Sequence, residues 1–157
     1  MEELSIRAHP ATRDPSTLAA AMAHLRGADP VLARLVAAVG SPALRHEPDY
    51  FVALVWSIMG QQISVTAATA IRTRLAAHFT AERPLSPAGL LALSADDLRA
   101  AGLSRAKAAY VADLATKVVS GAVDLATLDQ LPDEVVIERL VQVKGIGRWT
   151  AEMFLMF

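Results

Sequence analysis

Cysteine is absent from all 157 residues, which excludes a disulfide framework and any thiolate-held zinc or iron–sulfur site in this stretch. That absence fits a reducing cytoplasm. A surplus of charge is missing as well. Fifteen Lys and Arg stand against 16 Asp and Glu, for a formal net charge of −1 and an isoelectric point near 6.4, a poor footprint for a protein that clamps nucleic acid by bulk charge. No cationic segment followed by an apolar one opens the chain, and no apolar run reaches the length of a membrane span, so a soluble protein with no membrane partner is expected. No stretch alternates apolar and polar residues long enough to predict a strand, and no fixed-period repeat occurs. What is present is apolar: hydrophobic residues make up 54% and mean hydropathy is +0.36, which excludes disorder. The length suits one domain, or most of one, with a sizeable core.

The chain reads as many short helices, hence all-α. Residues 1–14 carry no periodicity and are expected to be an irregular lead-in. Asp14-Pro15 and Asp29-Pro30 each place a capping carboxylate before a proline at the first helical position, while Gly27 and Gly40 sit where helices should end. Two helices are predicted over 15–26 and 30–39. Pro48 is expected to open a third, with Phe51, Leu54, Val55, Ile58 and Met59 on one core-facing stripe and Gly60 as its stop. Ser64 caps a fourth to about residue 79, with Arg72 and Arg74 near its end, where cations suit the helix dipole. Ser86-Pro87, and Ser94 with Asp97, start two short helices, the second ending at Gly102. Ser104 caps a longer one to residue 120, stopped by Gly121, and Pro132 opens the last before a hairpin.

The hairpin lies in LVQVKGIGRWTAEMFLMF, residues 140–157, around which the chain is organised. Val141 and Val143 are expected to close an apolar helical face that begins at Val135, and Lys144-Gly145-Ile146-Gly147 to break the helix. A new helix follows at once. Its first-turn amides are unpaired by construction, which makes such a terminus an anion site.

Three stretches occur in order: residues 51–64, FVALVWSIMGQQIS; residues 93–110, LSADDLRAAGLSRAKAAY; and the hairpin through Arg148-Trp149-Thr150-Ala151. Together they resemble the helix-hairpin-helix DNA glycosylases, specifically the 3-methyladenine DNA glycosylase II branch, over roughly residues 15–157. The resemblance implies base excision repair of duplex DNA carrying alkylated bases, by a monomer of the cytoplasm associated with the nucleoid. In that family a two-lobed helical protein bends DNA and flips the damaged base into a cleft, because the glycosidic bond of a stacked base is out of reach. Residues 1–46 would then be N-terminal helices, 47–131 a central helical lobe, and 132–157 the helix-hairpin-helix of an incomplete glycosylase domain.

The family's DNA contacts carry over residue by residue. Gly60-Gln61-Gln62-Ile63-Ser64 matches the wedge loop, with Gln62 at the position that enters the duplex and Gln61 and Ser64 beside it. Lys144, Gly145, Ile146, Gly147 and Arg148 match the phosphate anchor, with backbone amides facing phosphate and the two cations nearby. Because most such contacts are dipolar, binding should depend only weakly on salt. Family members often hold a monovalent cation through main-chain carbonyls, which map onto Val141, Val143 and Ile146; a structural Na or K ion is the one cofactor implied, and no small molecule is needed. Trp149 stands where strand-cutting relatives carry a Schiff-base lysine, so a monofunctional enzyme is implied, and its indole suits the cationic bases 3-methyladenine and 7-methylguanine. Trp56 is expected in the core.

The family's catalytic aspartate has no match here and is expected beyond Phe157. Glu152 is off the motif, and Asp133 and Glu134 fit a helix first turn. Met153 to Phe157 form an unbroken apolar end, and the chain is therefore read as a fragment that needs complementation for catalysis. Other readings stay open: a mismatch or oxidised-base glycosylase, a non-catalytic helix-hairpin-helix module or glycosylase remnant that binds DNA backbone, and a helical interaction domain without nucleic acid.

Overall fold

The computed structural model describes residues 15–41 and 47–156; the lead-in expected over 1–14, and Phe157, lie outside them. Among the described residues every regular element is helical. The chain forms two compact units, with α1 (Pro15–Ala28) and α2 (Pro30–Val39) in one and everything from Glu47 to Met156 in the other.

In the first unit α1 and α2 pack on each other. Asp29 caps α2, its carboxylate accepting from the amides of Val31 at 2.6 Å and Leu32 at 3.0 Å. Gly27 lies inside α1, one residue short of its end. The helix runs on because Asp29 caps the next element and no competing cap acts earlier.

The second unit is built on α3 (Tyr50–Gly60). Asp49, and not Pro48, is its N-cap, accepting from the Val52 amide at 3.1 Å. Leu54, Val55, Ile58 and Met59 are wholly buried, each burial contributing about 1.5–3 kcal/mol. Around α3 pack α4 (Val65–Ala76), α7 (Arg105–Val119) and α9 (Arg148–Met156). The short α5 (Pro87–Leu91) and α6 (Ala95–Ala100) lie against α7, and α8 (Asp133–Leu140) against α9. Leu75, Leu90, Leu114, Val136 and Leu140 close the core. Trp56 is only half-buried there, its ring under the Arg72 guanidinium at 5.5 Å.

Four serines start helices as their positions require. Ser64, Ser86, Ser94 and Ser104 each accept from the amide three residues on, and Ser94 with Asp97 completes a capping box. Two further boundaries differ from expectation. Helix α4 stops at Ala76 rather than near residue 79. Helix α8 ends at Leu140, so Val141 is its C-cap and Val143 lies beyond it, buried by the turn and not by a continuing helical face. A 3-10 helix at Leu125–Gln130, capped by Asp124, fills the stretch before α8.

The corner between α6 and α7 bears on the site. Gly102 sits at φ +102, its amide donating to the Arg99 carbonyl at 2.8 Å while that of Leu103 donates to Leu98 at 3.1 Å. This glycine cap is followed by a buried leucine, a serine cap and an exposed arginine, Gly102-Leu103-Ser104-Arg105.

Candidate functional site

The turn after α8 closes when the Ile146 amide donates to the Val143 carbonyl at 3.0 Å. Gly145 is the third residue of that turn, at φ +83, a position for which residues with a Cβ are poorly suited. A Cβ there would lie 2.2 Å from Cδ2 of Tyr110, so the glycine also admits the tyrosine ring against the hairpin backbone. Ile146 is buried, as is Val143. These two side chains anchor the hairpin in the core; Ile146 can face a ligand only through its backbone.

The hairpin is held from α7. Asp113 accepts the Lys144 amide at 2.9 Å and the Lys117 ammonium at 2.5 Å. Burial pushes the Asp113 carboxyl up, but the Lys117 hydrogen bond and the Lys144 amide outweigh it and hold the group below its ordinary value. The Lys144 amide is thus engaged. By contrast, the amides of Gly145, Gly147, Arg148, Trp149 and Thr150 have no acceptor among the described residues, and the first bond of α9 is the Ala151 amide on the Gly147 carbonyl at 3.0 Å. Gly147 occupies the cap position and has no side chain with which to seal it. A Cβ added there meets nothing within 4 Å.

The loop after α3 meets the hairpin directly. Gln61 turns its side chain inward, its Nε2 donating to the Gly145 carbonyl at 2.8 Å and lying 3.5 Å from Oγ1 of buried Thr150. Lys107 gathers the carbonyls of Gln61 at 2.6 Å and Met59 at 2.8 Å, and burial pulls this ammonium below its ordinary value. Gln62 stands exposed next to it at φ +58, a left-handed conformation that glutamine adopts only when its surroundings impose it. Ser64 spends its hydroxyl on the α4 cap.

At the start of α9, Arg148 is bound by Glu134 at 2.6 Å and Glu152 at 2.9 Å. These carboxylates, Glu134 first, hold the guanidinium above its ordinary value. Arg148 is therefore a compensated cation, whereas Lys144 forms no ion pair with any described residue. Trp149 is 70% exposed, too open for a packing role. Deeper along the helix, Phe154 meets the Tyr50 ring edge-on at 5.3 Å, and the Tyr50 hydroxyl donates to Asp129 at 2.5 Å.

The structure thus brings Gln61, Gln62 and the 144–149 segment into one region, while Ser64 acts in its helix. Lys107, Tyr110 and Asp113 were not singled out from the sequence, although all three hold the region together. Their spacing of three along α7 marks one helical face, and Lys107 and Tyr110 fall within the 93–110 stretch. Among the described residues no cluster of His, Asp and Glu could hold a metal ion, and no helix is long and apolar enough to cross a membrane.

Comparison with known proteins gives the family and the fold. A family model described as HhH-GPD superfamily base excision DNA repair protein matches residues 55–153. DNA-3-methyladenine glycosylase 1 of Schizosaccharomyces pombe is 32% identical over 148 residues, covering 90% of this chain and 64% of its own. The chain therefore spans less than two thirds of that curated relative's length. A solved structure of the 3-methyladenine DNA glycosylase of that yeast in complex with abasic DNA superposes with a TM-score of 0.80 at 32% identity, covering 87% of this chain and 68% of the other. A DNA-3-methyladenine glycosidase from Bacillus halodurans superposes with a TM-score of 0.70 at 35% identity, covering 93% and 64%.

Proposed function

Because the chain belongs to the HhH-GPD superfamily of base excision DNA repair proteins, we propose that it serves a monofunctional DNA N-glycosylase. Its substrates on this reading are alkylated purines in duplex DNA, 3-methyladenine and 7-methylguanine among them. Trp149 carries the reading. A large indole is held in solvent on the second residue of α9, beside the unpaired amides. It has no amine with which to attack a sugar, so strand cleavage through a Schiff base is not available to it. Its face can lie against a cationic base, a contact contributing about 0.5–2 kcal/mol. Water then attacks C1′ as the C1′–N bond breaks, the bond's electron pair leaving with the base and the attacking water giving its proton to solvent. For an alkylated purine that pair neutralises the ring, which makes it the better leaving group.

The amides of Gly145 and Gly147 and of the α9 first turn supply an anion site for a backbone phosphate, with Lys144, which forms no direct ion pair with a described residue, as the nearby cation. Gln62 fills the gap left by the extruded base, and its amide can hydrogen-bond the orphaned partner. A monovalent cation fits the turn after α8. The carbonyls of Val141, Val143 and Ile146 are neutral oxygen donors past a helix end, where carbonyls lack intrahelical donors and the dipole is negative. Val143 keeps one lone pair after accepting the Ile146 amide. Such an ion would supply fixed positive charge beside the phosphate.

One observation favours a second reading, a non-catalytic module that grips DNA backbone. The acids nearest the hairpin are all engaged: Glu134 and Glu152 by Arg148, Asp113 by Lys117 and the Lys144 amide. The two readings separate when the protein of the whole reading frame is incubated with methylated duplex DNA and free base is followed by chromatography, with borohydride present in a parallel sample. Free 3-methyladenine without a trapped adduct supports the glycosylase. Binding without release supports the backbone module. A borohydride-trapped adduct with strand scission contradicts the monofunctional reading, and failure to bind any duplex contradicts both.

A further inference from the structure

The loop after α3 and the hairpin are 84 residues apart in sequence, yet a single side-chain bond joins them, from Nε2 of Gln61 to the carbonyl of Gly145. The same residue is fixed at its other end, where its own carbonyl accepts from Lys107. Lys107 also holds the Met59 carbonyl, and one and two turns further along α7 Tyr110 packs on Gly145 and Asp113 holds the Lys144 amide. Both loops are therefore mounted on the same face of one helix and tied directly to each other. Gln62, at φ +58, lies between a residue pinned at two points and the helix start at Ser64. It has little freedom to yield when its side chain is pressed against stacked bases.

On the reading of 60–64 as the intercalating loop and 144–147 as the phosphate anchor, we propose that Gln61 is a positioning residue that couples the two, so that wedge insertion and phosphate binding strengthen each other. A side chain forced between bases pushes the protein away from the duplex unless the phosphate backbone is held by the same rigid body. The Gln61 bond supplies that rigidity. Gln61 itself touches no DNA on this proposal, since its amide is spent inward.

The test is a double-mutant cycle on the full chain, with Gln62→Ala and Gly147→Val, measuring affinity for a duplex containing an abasic-site analogue. With Gln61 present, the combined loss should differ from the product of the single losses by at least about threefold. In a Gln61→Leu background the losses should simply multiply. Gln61→Glu, of equal length but without the donor, should uncouple in the same way and guards against a packing defect in the leucine variant; circular dichroism and denaturant midpoints confirm that each variant is folded. Multiplicative losses with Gln61 present, or unchanged coupling in its absence, overturn the proposal and leave the functional reading standing. If no duplex is bound at all, both fall together.

Discussion

Gly145 and Gly147 are two residues apart in one hairpin, and a methyl group added to each has a different consequence. At Gly145 it meets the Tyr110 ring and a left-handed backbone. Gly145→Ala should therefore lower stability by roughly 1–3 kcal/mol from overpacking, with a further ~1–2 kcal/mol from the backbone, seen as a reduced denaturant midpoint. At Gly147 there is open space and no positive φ, so Gly147→Ala should lower that midpoint only by the about 0.5–1 kcal/mol that separates alanine from glycine at an N-cap, while weakening duplex affinity. Loss of stability at Gly147 without loss of binding would contradict its assignment as the open cap. Arg148 permits a second expectation. Replacing Glu134 and Glu152 by Gln releases its guanidinium, so duplex affinity should rise and the slope of log Kd against log salt should steepen by about one. At this scale Gln62 and Trp149 are legible in the sequence because a family motif surrounds them. Lys107 and Tyr110 also lie in a motif stretch and Asp113 just past it, but their roles are not legible, because their partners lie on α3 and in the hairpin and no local pattern reveals such distant pairing.

Among the elements, α7 organises the region, and its behaviour with pH follows from Asp113. The folded carboxyl lies below its ordinary value, so the stabilisation is fully present above that ordinary value, near 3.9, and is lost as pH falls through the folded one. Asp113→Asn should accordingly cost about 1–3 kcal/mol at neutral pH, with the deficit shrinking below about pH 4; a deficit independent of pH would show that charge is not the cause. Helix starts are readable at the local caps Asp29, Ser64, Ser86, Ser94 and Ser104, but not at Asp49, where the preceding proline suggests an earlier start, nor at Asp124. Ends are less so. Helix α8 stops before its apolar pattern does, because Val143 finds its burial in the turn, and the 3-10 segment at Leu125–Gln130 has no periodicity long enough to read.

For the molecule as a whole, a net charge of −1 means that binding to a polyanion must rest on a few placed groups. With Lys144 outside any direct ion pair and Arg148 bound by two carboxylates, the salt dependence of duplex binding should have a slope of only about −1 to −2, measurable by fluorescence anisotropy over a salt series. A slope several times steeper would place a basic surface elsewhere in the protein. Composition alone made this legible, since the charge balance excludes bulk attraction before any coordinate is known.

The corner between α6 and α7 shows what the hairpin would be if a side chain sealed its helix start. Gly102-Leu103-Ser104-Arg105 and Gly145-Ile146-Gly147-Arg148 repeat one scheme: a left-handed glycine, a buried aliphatic, a cap and an arginine. In the first, the Ser104 hydroxyl occupies the amide of Lys107; in the second, that place is vacant because Gly147 has no hydroxyl to fill it. The chain thus carries its own control experiment. Gly147→Ser would turn the open corner into a copy of the serine-capped one, with stability altered by no more than a few tenths of a kcal/mol while a neutral lid competes with phosphate for the helix end.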